Sequence, residues 1–161
     1  TVGEGSEFFF ELEFAEGAES RIPAPATGEL PVDGGRLLVL VVDDNAVNRR
    51  IAESALLRAG YRVAVAVNGK EAIARVEEDR PAVVLMDCQM PILDGYAATR
   101  RIRRREGGGR IPIVAMTAHA LDGEQERCRD AGMDDYLSKP FTREQLCAVV
   151  EKWCGTRPAS A

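Results

Sequence analysis

Followed as a sequence of apolar and polar positions, the chain falls into two unlike parts, and the second is the more regular. From Arg36 onward, compact apolar runs alternate with stretches that are apolar only at every third or fourth position. Leu37-Leu38-Val39-Leu40-Val41-Val42 and Ala82-Val83-Val84-Leu85-Met86 are apolar at every position, and Ile111 to Met116 is nearly so. Such runs, bounded by turn residues, predict strands buried on both faces of a parallel sheet. Arg62 to Val67 and Asp135 to Ser138 predict two shorter strands. Between them, Asn45 caps a predicted helix carrying Val47, Ile51 and Ala55 on one face and closed by Gly60. A second helix runs from Asn68 towards Pro81 with Ala72, Ile73 and Val76 on its apolar face. A third starts at Asp94-Gly95 and carries Tyr96, Thr99 and Ile102. A more polar one covers about 121 to 131, with Gly132 as its stop. Thr142 and Gln145 form a capping box ahead of Leu146, Val149, Val150 and Trp153.

Five strands alternating with five helices predict an α/β fold, a parallel sheet covered by helices on both faces. Right-handed crossovers leave few topologies, and the flavodoxin-like strand order 2-1-3-4-5 suits five units of this size. Residues 36–155 are expected to form this domain, with 156–161 as a tail. The first part of the chain differs. Positions 8, 10, 12 and 14 in Ser6-Glu7-Phe8-Phe9-Phe10-Glu11-Leu12-Glu13-Phe14 are apolar, which predicts a strand with one buried side. Residues 17–35 are rich in Gly, Ala and Pro and read as a linker. A strand without a local partner, followed by a linker, reads as the edge of a preceding domain, residues 1–16. An arm that pairs with this domain or with another copy is the alternative.

Composition changes this picture little. A net charge of −5 disfavours a general affinity for nucleic acid. No apolar stretch is long enough to span a membrane. Cys88, Cys128, Cys147 and Cys154 show no C-x-x-C spacing, so they read as free thiols in a reducing, cytoplasmic setting. Arg100, Arg101, Arg103, Arg104 and Arg105 read as a solvated helix end, where the dipole favours cations, ahead of the Gly107-Gly108-Gly109 loop.

The chemistry lies at the strand ends. In open α/β sheets, ligands bind beyond the carboxyl ends of the strands, where the strand order reverses. Strands 1 and 3 meet there, so Asp43, Asp44 and Asp87 should converge, with Thr117 and Lys139 on the same rim. Three clustered carboxylates repel one another unless a cation is present. Magnesium takes oxygen ligands, usually one or two carboxylates, and keeps several waters. One member of the Asp43-Asp44 pair together with Asp87 provides that number. Lys139 adds a compact positive charge, and Thr117 adds a hydroxyl able to bond a phosphoryl oxygen. Phosphoryl transfer needs mainly positioning and charge neutralisation, so the set suits transfer of a phosphoryl group to Asp87.

From about Arg36 to Cys154 the chain resembles a response-regulator receiver domain. The resemblance is carried by Asp43-Asp44, by Met86-Asp87-Cys88-Gln89-Met90-Pro91-Ile92-Leu93-Asp94-Gly95, by Met116-Thr117-Ala118-His119-Ala120 and by Lys139-Pro140. It implies Asp87 as phosphoacceptor and Mg2+ as cofactor, held by Asp43, Asp44, Asp87 and the backbone carbonyl of Gln89. It further implies a switch pair, Thr117 and Tyr136, and a cis peptide between Lys139 and Pro140. The wording around Asp87 is typical of receivers fused to sensor kinases. Gly3-Glu4-Gly5-Ser6-Glu7-Phe8-Phe9-Phe10-Glu11-Leu12 is similar to the end of histidine-kinase ATP-binding domains. Together these imply a piece of a hybrid histidine kinase whose ATP site and phosphorylated histidine lie upstream.

The resemblance implies a phosphohistidine of a kinase domain as donor, a histidine phosphotransfer protein as a further partner, and no use of ATP by this piece. His119 reads as a rim residue and not as a donor. Direct binding of nucleic acid or membrane is not expected, and homodimerisation stays open. Three alternatives remain. A flavin carrier on the same fold would be coloured and would need a hydroxyl-rich loop where Asp43-Asp44-Asn45 stands. A magnesium-dependent phosphatase would need a carboxylate where Gln89 stands. A docking module without chemistry would bind no magnesium.

Overall fold

A computed structural model describes residues 36–106, 109–118 and 122–155. The expected strand and linker within residues 1–35, the tail 156–161, Gly107-Gly108 and His119 lie outside the described residues. The elements are β1 (Leu38–Val42), α1 (Ala46–Arg58), β2 (Arg62–Ala66), α2 (Gly69–Asp79) and β3 (Val83–Asp87). They continue with α3 (Gly95–Arg105), β4 (Ile113–Thr117), α4 (Asp122–Ala131), β5 (Asp135–Ser138) and α5 (Arg143–Gly155). The five strands are all parallel, in the order β2-β1-β3-β4-β5. That is the expected architecture.

Alternation along the strands builds two cores, one on each face of the sheet. Leu40 and Val42, Val84 and Met86, and Ile113 and Ala115 point to one side. There they meet Ala72, Ile73 and Val76 of α2, Tyr96, Ala98 and Ile102 of α3, and Cys128 and Ala131 of α4. Val39 and Val41, Val83 and Leu85, and Val114 and Met116 point to the other side, against Ala52, Ala55 and Leu56 of α1 and Leu146 and Val150 of α5. Each large aliphatic side chain removed from water here stabilises the fold by about 1.5–3 kcal/mol. The central strands are apolar throughout because both their faces are covered. The edge strands β2 and β5 are only partly buried.

Helix starts follow their caps. The side-chain oxygens of Asn45, Asn68 and Asp94 accept from the amides of Val47 (2.8 Å), Glu71 (2.9 Å) and Ala97 (2.7 Å). Thr142 and Gln145 bond reciprocally as a capping box. Gly60 and Gly132 end α1 and α4 at φ of +92° and +93°, a region costly for residues with a Cβ.

Two expectations are corrected. Val47 and Ile51 do not face the core with Ala55; they are 64% and 56% exposed. Helix α1 instead buries Ala52, Ala55 and Leu56. Ile51 lies about 100° around the helix from Ala52, outside the stripe that meets the sheet. Arg103, expected in a solvated run, is nearly buried. Its guanidinium donates to the carbonyls of Gly132 (2.8 Å) and Ile111 (2.9 Å), to Asp134 (2.7 Å) and to Glu106. Arg103 therefore ties α3 to the ends of α4 and β4.

At Gly95 the first turn of α3 passes so close to β3 that a Cβ would stand 2.1 Å from the Asp87 carbonyl oxygen. A contact this short against backbone requires the chain to move, and overpacking of this kind costs about 1–3 kcal/mol. Gly95→Ala is expected to lower the urea midpoint accordingly. An unchanged midpoint would show that β3 yields freely here.

Candidate metal and phosphoacceptor site

The carboxyl ends of β1 and β3 are neighbours in the sheet, with Val42 in register with Met86. The chain therefore leaves both strands at one place. Asp43, one residue beyond β1, is 1% exposed, and Asp87, the last residue of β3, is also buried. Asp44 faces solvent. One oxygen from each of Asp43, Asp44 and Asp87 lies within 4.8 Å of the others. Lys139, just past β5, reaches back across the rim. Its Nζ donates to Asp43 Oδ2 at 2.7 Å and to Asp87 Oδ2 at 2.8 Å. Thr117 ends β4, buried, in register with Ser138, and the Lys139 amide donates to the Thr117 carbonyl at 2.7 Å. The Lys139–Pro140 peptide is cis.

The remaining bonds are local. Asp43 Oδ1 accepts from the Asn45 amide at 2.8 Å and from Asn48 Nδ2 at 3.4 Å. Asp87 Oδ1 accepts from the Gln89 amide at 3.2 Å. Burial pushes the Asp87 carboxyl above the usual carboxylate range; the Lys139 ammonium opposes this and Asp43 adds to it. For Lys139, burial works against the charge, but Asp43 and Asp87 outweigh it and raise its pKa.

Charge decides what else fits. Three carboxylates and one ammonium, −3 and +1, leave −2 on a small rim. A divalent cation neutralises that remainder, and oxygen donors are what magnesium prefers. The donor set therefore fits the ion. Among the described residues, Asp43, Asp44 and Asp87 form a group that could hold it.

Tyr136 of β5, the expected switch aromatic, is 41% exposed, and its hydroxyl accepts from Gln125 Nε2 at 3.1 Å. Beside it, Asp135 accepts from Lys152 Nζ (2.7 Å) and Trp153 Nε1 (2.9 Å), fastening α5 to β5. Burial raises the Asp135 pKa, yet the bonds from Lys152, Trp153 and the Tyr136 amide prevail, and its carboxyl is held below the usual range. A depressed folded pKa gives stability that is present above the unfolded value and lost as pH falls through the folded one. Asp135→Asn should therefore lower stability at neutral pH by about 1–2 kcal/mol, discounted for the exposed Lys152. Melts followed by Trp153 fluorescence should show the gap closing as pH falls through and below the ordinary aspartate range. A gap independent of pH would remove the carboxylate from the account.

Cys88 is buried beside Asp87, and its Sγ lies 3.9 Å from Cys128 Sγ. Burial pushes its thiol up to about 12, so at neutral pH it stays protonated. Arg49 was not singled out from sequence, although Asn45, Asn48 and Arg49 follow the acidic pair at helical spacing. Its Nη1 donates to the carbonyls of Asp43 (2.7 Å) and Asp44 (2.9 Å).

Fold and site together define a doubly wound α/β domain with an acidic, lysine-bridged cluster where the strand order reverses. Residues 39–151 match the sequence model of the response regulator receiver domain, and the chain belongs to that family. Sensor histidine kinase GacS of Pseudomonas protegens is 42% identical over 120 residues, which are 73% of this chain and 13% of that protein. The chain thus spans about an eighth of the length of that curated relative. The receiver domain of sensor histidine kinase PA1611 from Pseudomonas aeruginosa is 46% identical, with a TM-score of 0.70. The match covers 75% of this chain and 99% of that one, and that structure has magnesium coordinated in its active site cleft. The receiver domain of Ssk1 from Saccharomyces cerevisiae, crystallised with the histidine phosphotransfer protein Ypd1, is 29% identical, with a TM-score of 0.70. There the match covers 74% of this chain and 90% of that one. The protein carries a receiver domain of two-component signalling.

Proposed function

We propose that Asp87 takes a phosphoryl group from a phosphohistidine and later releases it to another histidine or to water. The carrying observation is the buried pair Asp43 and Asp87, bridged by Lys139, which together with Asp44 leaves two uncompensated negative charges on the rim. Asp43, Asp44, Asp87 and the carbonyl of Gln89 would hold magnesium. When bound, the ion supplies charge neutralisation for the incoming phosphoryl oxygens. An Asp87 carboxylate oxygen forms the new bond to phosphorus as the donor's nitrogen–phosphorus bond breaks. Lys139 shifts from its carboxylate partners to a phosphoryl oxygen, and the Thr117 hydroxyl bonds another. Tyr136 turns inward as Thr117 moves, which changes the surface formed by α4, β5 and α5.

The partner is a histidine-bearing kinase domain or phosphotransfer protein. Val47 and Ile51 on α1 and Ile92 after β3, which is 82% exposed, offer apolar contact at the same sheet edge. The Ssk1–Ypd1 complex supports this class of partner. Residues 1–16 fit the end of a kinase ATP-binding domain and 17–35 a linker, so the parent is a hybrid sensor kinase with this domain in the cytoplasm. No helix among the described residues is long and apolar enough to cross a membrane. Intact-mass spectrometry after incubation with acetyl phosphate and magnesium tests the reading. Gain of one phosphoryl group per chain is expected, and absence of any adduct from both this donor and a phosphorylated phosphotransfer protein overturns it.

A further inference from the structure

We propose that Arg49 is a positioning residue for the acidic site, fixing the backbone from which Asp43 and Asp44 project. The inference rests on the metal-binding reading just given. The sheet ladder of β1 ends at Val42, although the Asp43 amide still reaches the Ala66 carbonyl at 3.2 Å. From there the chain turns away to Asn45, the cap of α1. Two successive peptide units thus lie between a strand and a helix, where neither regular ladder takes their carbonyls. Asp43 is buried, and a carbonyl there needs a partner.

Arg49 supplies that partner. Its amide bonds the Asn45 carbonyl at 3.1 Å, which places it one turn into α1 and below the junction. One guanidinium nitrogen then bonds both the Asp43 and the Asp44 carbonyl, at 2.7 and 2.9 Å. Bonds from a charged donor are roughly twice as strong as neutral ones. The same helix start also holds the Asp43 side chain, through the Asn45 amide and the longer contact from Asn48. Backbone and carboxylate are therefore referred to one rigid element. Magnesium demands near-ideal octahedral geometry, so a junction free to rock would bind it poorly.

Charge and positioning predict opposite signs. As a cation near the site, Arg49 repels magnesium, and its neutralisation would tighten binding. As a clamp, it supports binding, and its loss weakens it. Arg49→Met keeps an unbranched apolar stem but removes charge and donors, whereas Arg49→Lys restores both. Calorimetric titration with magnesium chloride should show Arg49→Met weakened by about tenfold, the low end of what supporting residues around metals contribute, and Arg49→Lys recovering most of it. Without metal, the Asn45 amide resonance should shift in Arg49→Met and return in Arg49→Lys. Equal or tighter magnesium binding by folded Arg49→Met overturns the inference. So does a lowered melting temperature with unchanged affinity, which would make the bonds merely structural. Wild-type protein that takes up no magnesium overturns the site reading and this inference together, whereas wild-type uptake with unaltered affinity in Arg49→Met sinks only the clamp.

Discussion

Asp87→Asn is expected to reduce phosphoryl uptake to background from either acetyl phosphate or a phosphorylated phosphotransfer protein. Nucleophilic attack on phosphorus needs an anionic oxygen, and an amide oxygen has neither the charge nor the basicity. The substitution is nearly isosteric, so the packing of β3 should survive. The side-chain oxygen that remains at position 87 can still accept from the Gln89 amide, and Lys139 keeps Asp43 as a partner. A fold-intact variant that gains no mass in the presence of magnesium assigns the chemistry to Asp87. Labelling at the wild-type level would place the acceptor elsewhere.

The second large effect concerns the ion. Asp43→Asn combined with Asp44→Asn removes two of the three carboxylates in the cluster and changes its charge balance from −2 to zero. Supporting groups around a metal contribute about 10- to 100-fold in affinity, so loss of two ligands should weaken magnesium binding by more than about a hundredfold. Phosphorylation should fail with it. The fold should persist, because Lys139 retains Asp87 and the Asn45 amide retains an oxygen at position 43. Calorimetry alongside a thermal melt separates the two effects. Wild-type affinity in the double variant would locate the ion away from this rim.

These expectations depend on residues far apart in the chain. Lys139 stands 96 positions from Asp43 and 52 from Asp87, yet bonds both. Their meeting was legible because each ends or follows a strand, and a parallel sheet gathers all such ends on one edge. The order of strands then set Asp43 and Asp87 side by side. The same reasoning failed at α1, where Val47 and Ile51 are apolar and outward-facing. Their surroundings, not their hydropathy, decide that: α1 needs only a narrow stripe of Ala52, Ala55 and Leu56 to sit on the sheet beside α5. Arg103 failed in the opposite direction, although its place seven residues after Tyr96 and four after Thr99 puts it on the buried face of α3.

Periodicity and chain order alone determined the five strands, their parallel arrangement, the helix caps and the rim on which the acids gather. These are local or topological matters, governed by where side chains must be hidden and by the handedness of crossovers. Only the folded molecule decided which face of α1 is covered, which neighbours Arg103 ties to α3, and that Arg49 grips the backbone of the acidic pair. Those outcomes turn on helix rotations and on which unpaired carbonyl lies within a guanidinium's reach. Such distances of an ångström or two arise from packing between elements, and no spacing along the chain encodes them.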